Sequence, residues 1–122
     1  MAHEKFYLQN ILEAIEKIGV YIEGYDEASF QADGKTQDAV IRQLMIIGEA
    51  ARLLPEEIKE AYPQIPWRDV SGMRNHLIHR YFKVDMEEVW RTTQNDLTVL
   101  QTAVELALAD IDGSGKNDEA EN

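Results

Sequence analysis

A chain of 122 residues, 44% of them apolar, has the size and composition of one compact domain with its own core. It contains no cysteine and only three histidines, which excludes a disulfide framework, a thiolate zinc site and a rich metal centre; no cofactor is expected, and a reducing cytoplasm is the expected location. A net charge of −11 argues against a broad electrostatic footprint on nucleic acid, and no apolar run approaches the roughly 20 residues needed to cross a bilayer.

The first element is a helix, because Leu8, Ile11, Leu12, Ile15, Ile18 and Ile22 step by threes and fours along one face. A short helical turn follows from Asp26 to Gln31. Gly34 then breaks the chain, and Thr36 is placed to cap a helix running to Leu54. Within that helix Val40, Leu44, Ile47, Ala51 and Leu54 form a seam suited to lengthwise packing. Pro55 starts a short helical piece that Pro63 ends, and Pro66 opens another helix. Asp85, with Glu88 three residues on, resembles a capping box for the last helix, whose inner face is Met86, Val89, Thr93, Leu97, Leu100, Val104 and Ala107. From Ile111 to Asn122 almost nothing is apolar, so a disordered acidic tail is expected after a helical domain of residues 1–110. There is no repeat, Gly-rich phosphate loop or strand alternation. The fold expected is an all-α, antiparallel four-helix-type bundle with one or two short extra helices.

Chemistry concentrates in the helix opened by Pro66. Between Arg68 and Lys83 stand four of the twelve Lys and Arg residues, two of the three histidines and one acid, Asp69; that segment is net +3 and the remainder −14. At about 100° per residue, Trp67, Val70, Met73, Leu77, Ile78 and Tyr81 share one arc, and Arg74 falls inside it. A guanidinium among apolar positions is costly unless paired, snorkelling or at a wet interface. His79 lies about 140° away, with Asn75 one turn before it, able to fix the imidazole tautomer by a hydrogen bond. Trp67 and Trp90 read as core or interface anchors, and His76 is given no role.

These groups suit RNA cleavage without a metal. A base takes the proton of the ribose 2′-hydroxyl, an acid protonates the departing 5′-oxygen, and a cation offsets the charge gained at phosphorus. An imidazole serves in either protonation state near neutrality, and a guanidinium fork matches phosphate oxygens. One histidine does not readily fill both proton roles. Two copies of the helix meeting about a twofold axis supply two imidazoles and two guanidinium groups, so a homodimer is expected.

The spacing Arg74, four residues, His79, one residue, Tyr81 resembles the Arg-x4-His-x-Tyr motif of HepT-like toxins in the HEPN superfamily. The flanks agree: Ile65-Pro66-Trp67-Arg68-Asp69-Val70 before it, Tyr81-Phe82-Lys83-Val84-Asp85 after it, and Ile47-Gly48-Glu49-Ala50 upstream, the likeness running from about Phe6 to Ala109. The resemblance implies a homodimeric ribonuclease toxin of a type VII toxin–antitoxin system, with Arg74 and His79 catalytic and Asn75 their polar companion. It implies an antitoxin that is a nucleotidyltransferase of the MntA type, which silences the toxin by transferring AMP to Tyr81. The family often has a basic residue where His76 stands and an acid where Arg80 stands; Arg80 makes the local field here more positive. A competing reading, favoured by the acidic composition, is a non-catalytic HEPN binding module in complex with the nucleotidyltransferase.

Overall fold

A computed structural model of the chain describes residues 2–79 and 85–121, without the side chains of residues 2, 74–76, 78, 79 and 114–121. Among the described residues every regular element is helical. They are α1 (Ala2–Tyr21), α2 (Glu27–Gln31), α3 (Gly34–Leu53), α4 (Glu56–Ala61), α5 (Trp67–His79), α6 (Met86–Arg91) and α7 (Leu97–Glu121), with a π-helical turn, Thr92–Asp96, joining α6 to α7. The four main helices are α1, α3, α5 and the continuous rod from α6 to α7, and the short extras are α2 and α4. None is long and apolar enough to cross a membrane among the described residues.

Periodicity translates directly into packing. Leu8, Ile11 and Ile18 of α1, and Val40, Leu44 and Ile47 of α3, are all but inaccessible to solvent. Burying each such side chain contributes about 1.5–3 kcal/mol before entropy is counted. Helix α1 packs on α3 and α7, α3 packs on α5, and α2 sits between α3 and α6. Lys5, at the start of α1, pairs at 2.9 Å with Asp112 in the second half of α7, so these helices run antiparallel. Every residue expected on the inner face of the last helix is at least partly buried.

The π turn is the one irregularity in that rod. Its inner-face residues step by four on both sides of Thr93, from Val89 to Leu97, which carries an ordinary α-helix about 80° off line. One extra residue in a wider turn takes up that drift. The hydroxyls of Thr92 and Thr93 donate to the carbonyls of Glu88 and Trp90, at 3.0 and 2.7 Å, a local competition that loosens helices.

Two local expectations are corrected. Asp33, rather than Thr36, caps α3: its carboxylate accepts the Thr36 backbone N–H at 3.1 Å and the Thr36 hydroxyl at 2.7 Å, and Gly34 is the first helical residue instead of a break. Asp85 caps α6 through the Glu87 N–H, at 2.9 Å, and the reciprocal capping box forms at Asp26 and Ser29 of α2. At the far end of α7, Ile111 packs on the core, Asp112 holds Lys5, and the helix is continuous to Glu121. A helix already anchored by Ala107 and Ile111 extends readily, since propagation adds one hydrogen bond for each residue fixed.

The Asp33 cap also joins three elements. Tyr25, just after the left-handed turn at Gly24 (φ 79°), donates its hydroxyl to Asp33 at 2.6 Å. That bond first, then those from Thr36, pull the Asp33 carboxyl down to about 2. Because its folded-state value lies below that of the unfolded chain, the stability it contributes is present above about pH 4 and is lost as pH falls towards 2. Thermal melts across that window should show a steeper fall for the parent protein than for Asp33→Asn, which has no charge to lose; parallel curves would remove this role from Asp33.

Candidate active site on helix α5

Helix α5 is positioned from its N-terminal end. Pro66 disfavours a helical conformation at Ile65, which stops any helix from running through, and its carbonyl accepts the Val70 N–H at 3.0 Å to close the first turn. The Trp67 indole N–H donates to the Tyr62 carbonyl at 2.9 Å, and the Tyr62 hydroxyl donates to the Asp110 carboxylate on α7. Burial first, then the bond to Asp110 and its charge, push the Tyr62 phenol up to about 12. The start of α5 is therefore tied to the far part of α7 through one tyrosine.

The rotation of α5 follows from its apolar residues. Trp67 and Leu77 are buried and Val70 and Met73 half-buried, which turns this side towards α3 and the core. Arg74, Asn75 and His79 all belong to α5, in its second half. By helix geometry the Arg74 and His79 backbone positions are about 7.5 Å apart along the axis and about 140° apart around it. The position of Arg74 falls within the arc of Trp67 and Val70, and that of His79 falls on the row of Arg68 and Gly72. The side chains of Arg74, Asn75 and His79 are outside the described part of the structure, and Tyr81 lies wholly outside the described residues.

The row of Arg68 and Gly72 forms one wall of a groove of about 790 Å³. Its opposite wall is Glu88 of α6, Thr92 and Asp96 of the π turn, and Val99 of α7, and its floor is apolar, with Val70, Met73, Leu97 and Leu100. Charge counting singles out Arg68 as part of the basic segment without giving it a place, and it gives no hint of Glu88 and Asp96 opposite. The only signal in the sequence is the pair of four-residue steps about Thr93, which marks where the last helix is distorted beside the groove.

The family described as Ribonuclease HepT-like matches residues 11–107, from the middle of α1 to the middle of α7. "Probable ribonuclease HepT" of Thermococcus cleftensis is 45% identical over 97 residues, covering 80% of this chain and 88% of that protein. "Putative RNase MJ1216" of Methanocaldococcus jannaschii is 35% identical over 113 residues, 93% of each chain. In "Gamma-glutamylcyclotransferase and putative RNase MJ0434" of the same organism the likeness is 39% over 113 residues, and this chain spans about half (51%) of that longer protein. No solved structure matches significantly. An all-helical bundle, the Arg74, His79 and Tyr81 spacing, and a family match over most of the length agree: the chain belongs to the HepT-like family of the HEPN superfamily.

Proposed function

We propose that this protein is a ribonuclease toxin that cleaves RNA without a metal, using Arg74 and His79 from two protomers in one cleft. The observation that carries this reading is the Arg74-x4-His79-x-Tyr81 spacing, in a chain of the HepT-like family whose relatives bear ribonuclease names. One imidazole takes the 2′-hydroxyl proton as that oxygen attacks phosphorus. The bond from phosphorus to the 5′-oxygen breaks, and the second imidazole, protonated, gives its proton to the leaving oxygen. The products are a 2′,3′-cyclic phosphate and a 5′-hydroxyl. Arg74 offsets the charge that builds on the phosphate oxygens, and Asn75, one turn from His79, orients its ring. Purified, unmodified protein should cut labelled RNA in excess chelator and leave cyclic phosphate ends; intact RNA would point instead to the non-catalytic binding module that the net charge of −11 favours.

Regulation fits the same motif. A cytoplasmic nucleotidyltransferase of the MntA type transfers AMP from ATP to the Tyr81 hydroxyl and releases pyrophosphate. Each AMP adds a negative phosphate and a bulky base close in sequence to Arg74, which competes for the anion site and repels substrate. After co-expression with such an enzyme, the intact mass should rise by one or more AMP units. Tyr81→Phe should stay at its unmodified mass, and a Tyr81→Phe protein that gains AMP would move the acceptor elsewhere.

A further inference from the structure

We infer that Tyr62 is a positioning residue for RNA cleavage: its hydroxyl, held by Asp110, fixes the rotation and axial position of helix α5, and with them the places of Arg74 and His79. This deepens the proposed function and rests on it for its catalytic meaning. Tyr62 precedes α5 and His79 ends it, so the tyrosine acts through the helix and not on the substrate.

The packing of α5 leaves a freedom that this bond removes. Among the described residues α5 packs mainly on α3, with the side that carries Trp67, Val70, Met73 and Leu77 turned to the core, and the groove of about 790 Å³ holds it apart from α7. Apolar burial is non-directional and presses the helix onto its neighbour. A hydrogen bond weakens steeply off its axis, so it sets rotation and axial position.

The joint is stiff on both sides of the bond. Tyr62 caps the end of α4, with its N–H on the Ile58 carbonyl at 3.2 Å. Its own carbonyl accepts the Ile65 N–H at 3.2 Å and the Trp67 indole N–H at 2.9 Å, so one peptide oxygen holds both the turn and the first residue of α5. Pro63 and Pro66 fix φ at two of the four residues between Tyr62 and Trp67. A connection this short passes a displacement on instead of absorbing it. Across the bond, Asp110 stands on a stretch of α7 that Ile111 packs onto the core and Asp112 ties to Lys5 of α1. With its phenol pushed up to about 12, Tyr62 remains a donor at any physiological pH. Arg74 lies seven residues after Trp67, about 10.5 Å along the axis and only about 20° around it, so a turn of the helix at Trp67 is carried whole to Arg74. A misplacement of about 1 Å at a reacting centre costs about 10²-fold in rate.

The test compares Tyr62→Phe, which keeps the ring and removes only the donor, with Asp110→Leu and with Asp110→Asn, which retains an oxygen acceptor. Two readouts are taken at a temperature where circular dichroism shows every variant folded: kcat and KM for labelled RNA, and the nuclear magnetic resonance signals of the Trp67 and Trp90 indole N–H groups. Tyr62→Phe and Asp110→Leu should each lower kcat about 10- to 100-fold while KM changes less than about threefold. Both should shift the Trp67 indole signal and leave that of Trp90 in place, whereas a general loss of stability disturbs the two alike. The Tyr62→Phe/Asp110→Leu double variant should be no worse than either single, and Asp110→Asn should lie close to the parent. Parent-like kcat or an unmoved Trp67 signal in Tyr62→Phe, or an Asp110→Asn as impaired as Asp110→Leu, would each overturn the inference. The indole signals need no RNA. A shift confined to Trp67, in a protein whose parent form cuts no RNA, upholds the joint and defeats the proposed function, while RNA cleavage untouched by Tyr62→Phe does the reverse.

Discussion

Replacing His79 by Ala is expected to lower the RNA cleavage rate about 10²- to 10⁴-fold and to abolish growth inhibition on expression, while leaving the fold in place. The magnitude is that of a general acid–base group in the transition state, equivalent to about 3–5.5 kcal/mol of barrier. In the proposed dimer the substitution removes both imidazoles at once, so base and acid are lost together and the upper part of that range applies. The fold should survive because α5 is held by Trp67, Val70, Met73 and Leu77, and because alanine is a better helix former than histidine. Cleavage of labelled RNA, measured beside circular dichroism and sedimentation, separates the two effects. A His79→Ala protein with parent-like cleavage would remove His79 from the chemistry. Arg74→Ala in the same assay should lose rate through weaker charge stabilisation at phosphorus.

The largest expected effect on stability is at Phe30→Ala. Phe30 is fully buried although it belongs to α2, a helix of only five residues, and its ring lies 5.2 Å from that of Trp90 on α6. It therefore joins α2 to the rod whose other side forms the groove. Truncation forfeits the transfer energy of the ring and leaves a cavity at the junction of α2, α3 and α6, a cost of about 3–5 kcal/mol. Set against a total stability of about 5–15 kcal/mol, that is a large share, and the melting temperature should fall on the order of 10–20 °C. Urea unfolding followed by circular dichroism measures it. A loss under about 1 kcal/mol would show that α2 is peripheral to folding. Phe30→Leu, which retains most of the volume, should recover much of the stability.

The two effects differ in how they are encoded. The groups expected to carry out the chemistry are legible in the chain because Arg74, Asn75, His79 and Tyr81 occur at fixed intervals in one segment, and helix α5 converts the intervals from Arg74 to His79 into backbone positions. Phe30 is silent in the sequence, since an aromatic residue in a five-residue helix has no periodic neighbours to announce its burial. The same distinction runs through the caps. Thr36 and Asp33 are both good capping residues, and only the donation of the Tyr25 hydroxyl to Asp33, across eight residues, decides between them.

Periodicity along the chain was enough to set the helical class, the four main helices and their inward faces, because it is a local property that packing then obeys. The membership of the basic helix in a recognisable motif was equally plain from residue intervals. Contacts between distant segments supplied what no local pattern contains: the tie from Trp67 through Tyr62 to Asp110, the anchoring of Ile111 and Asp112 inside the last helix, and the placing of Arg68 across a groove from Asp96. Each of these depends on residues far apart in the chain meeting in space, and the distance between two helices is set by what fills the core between them, not by the spacing along either one.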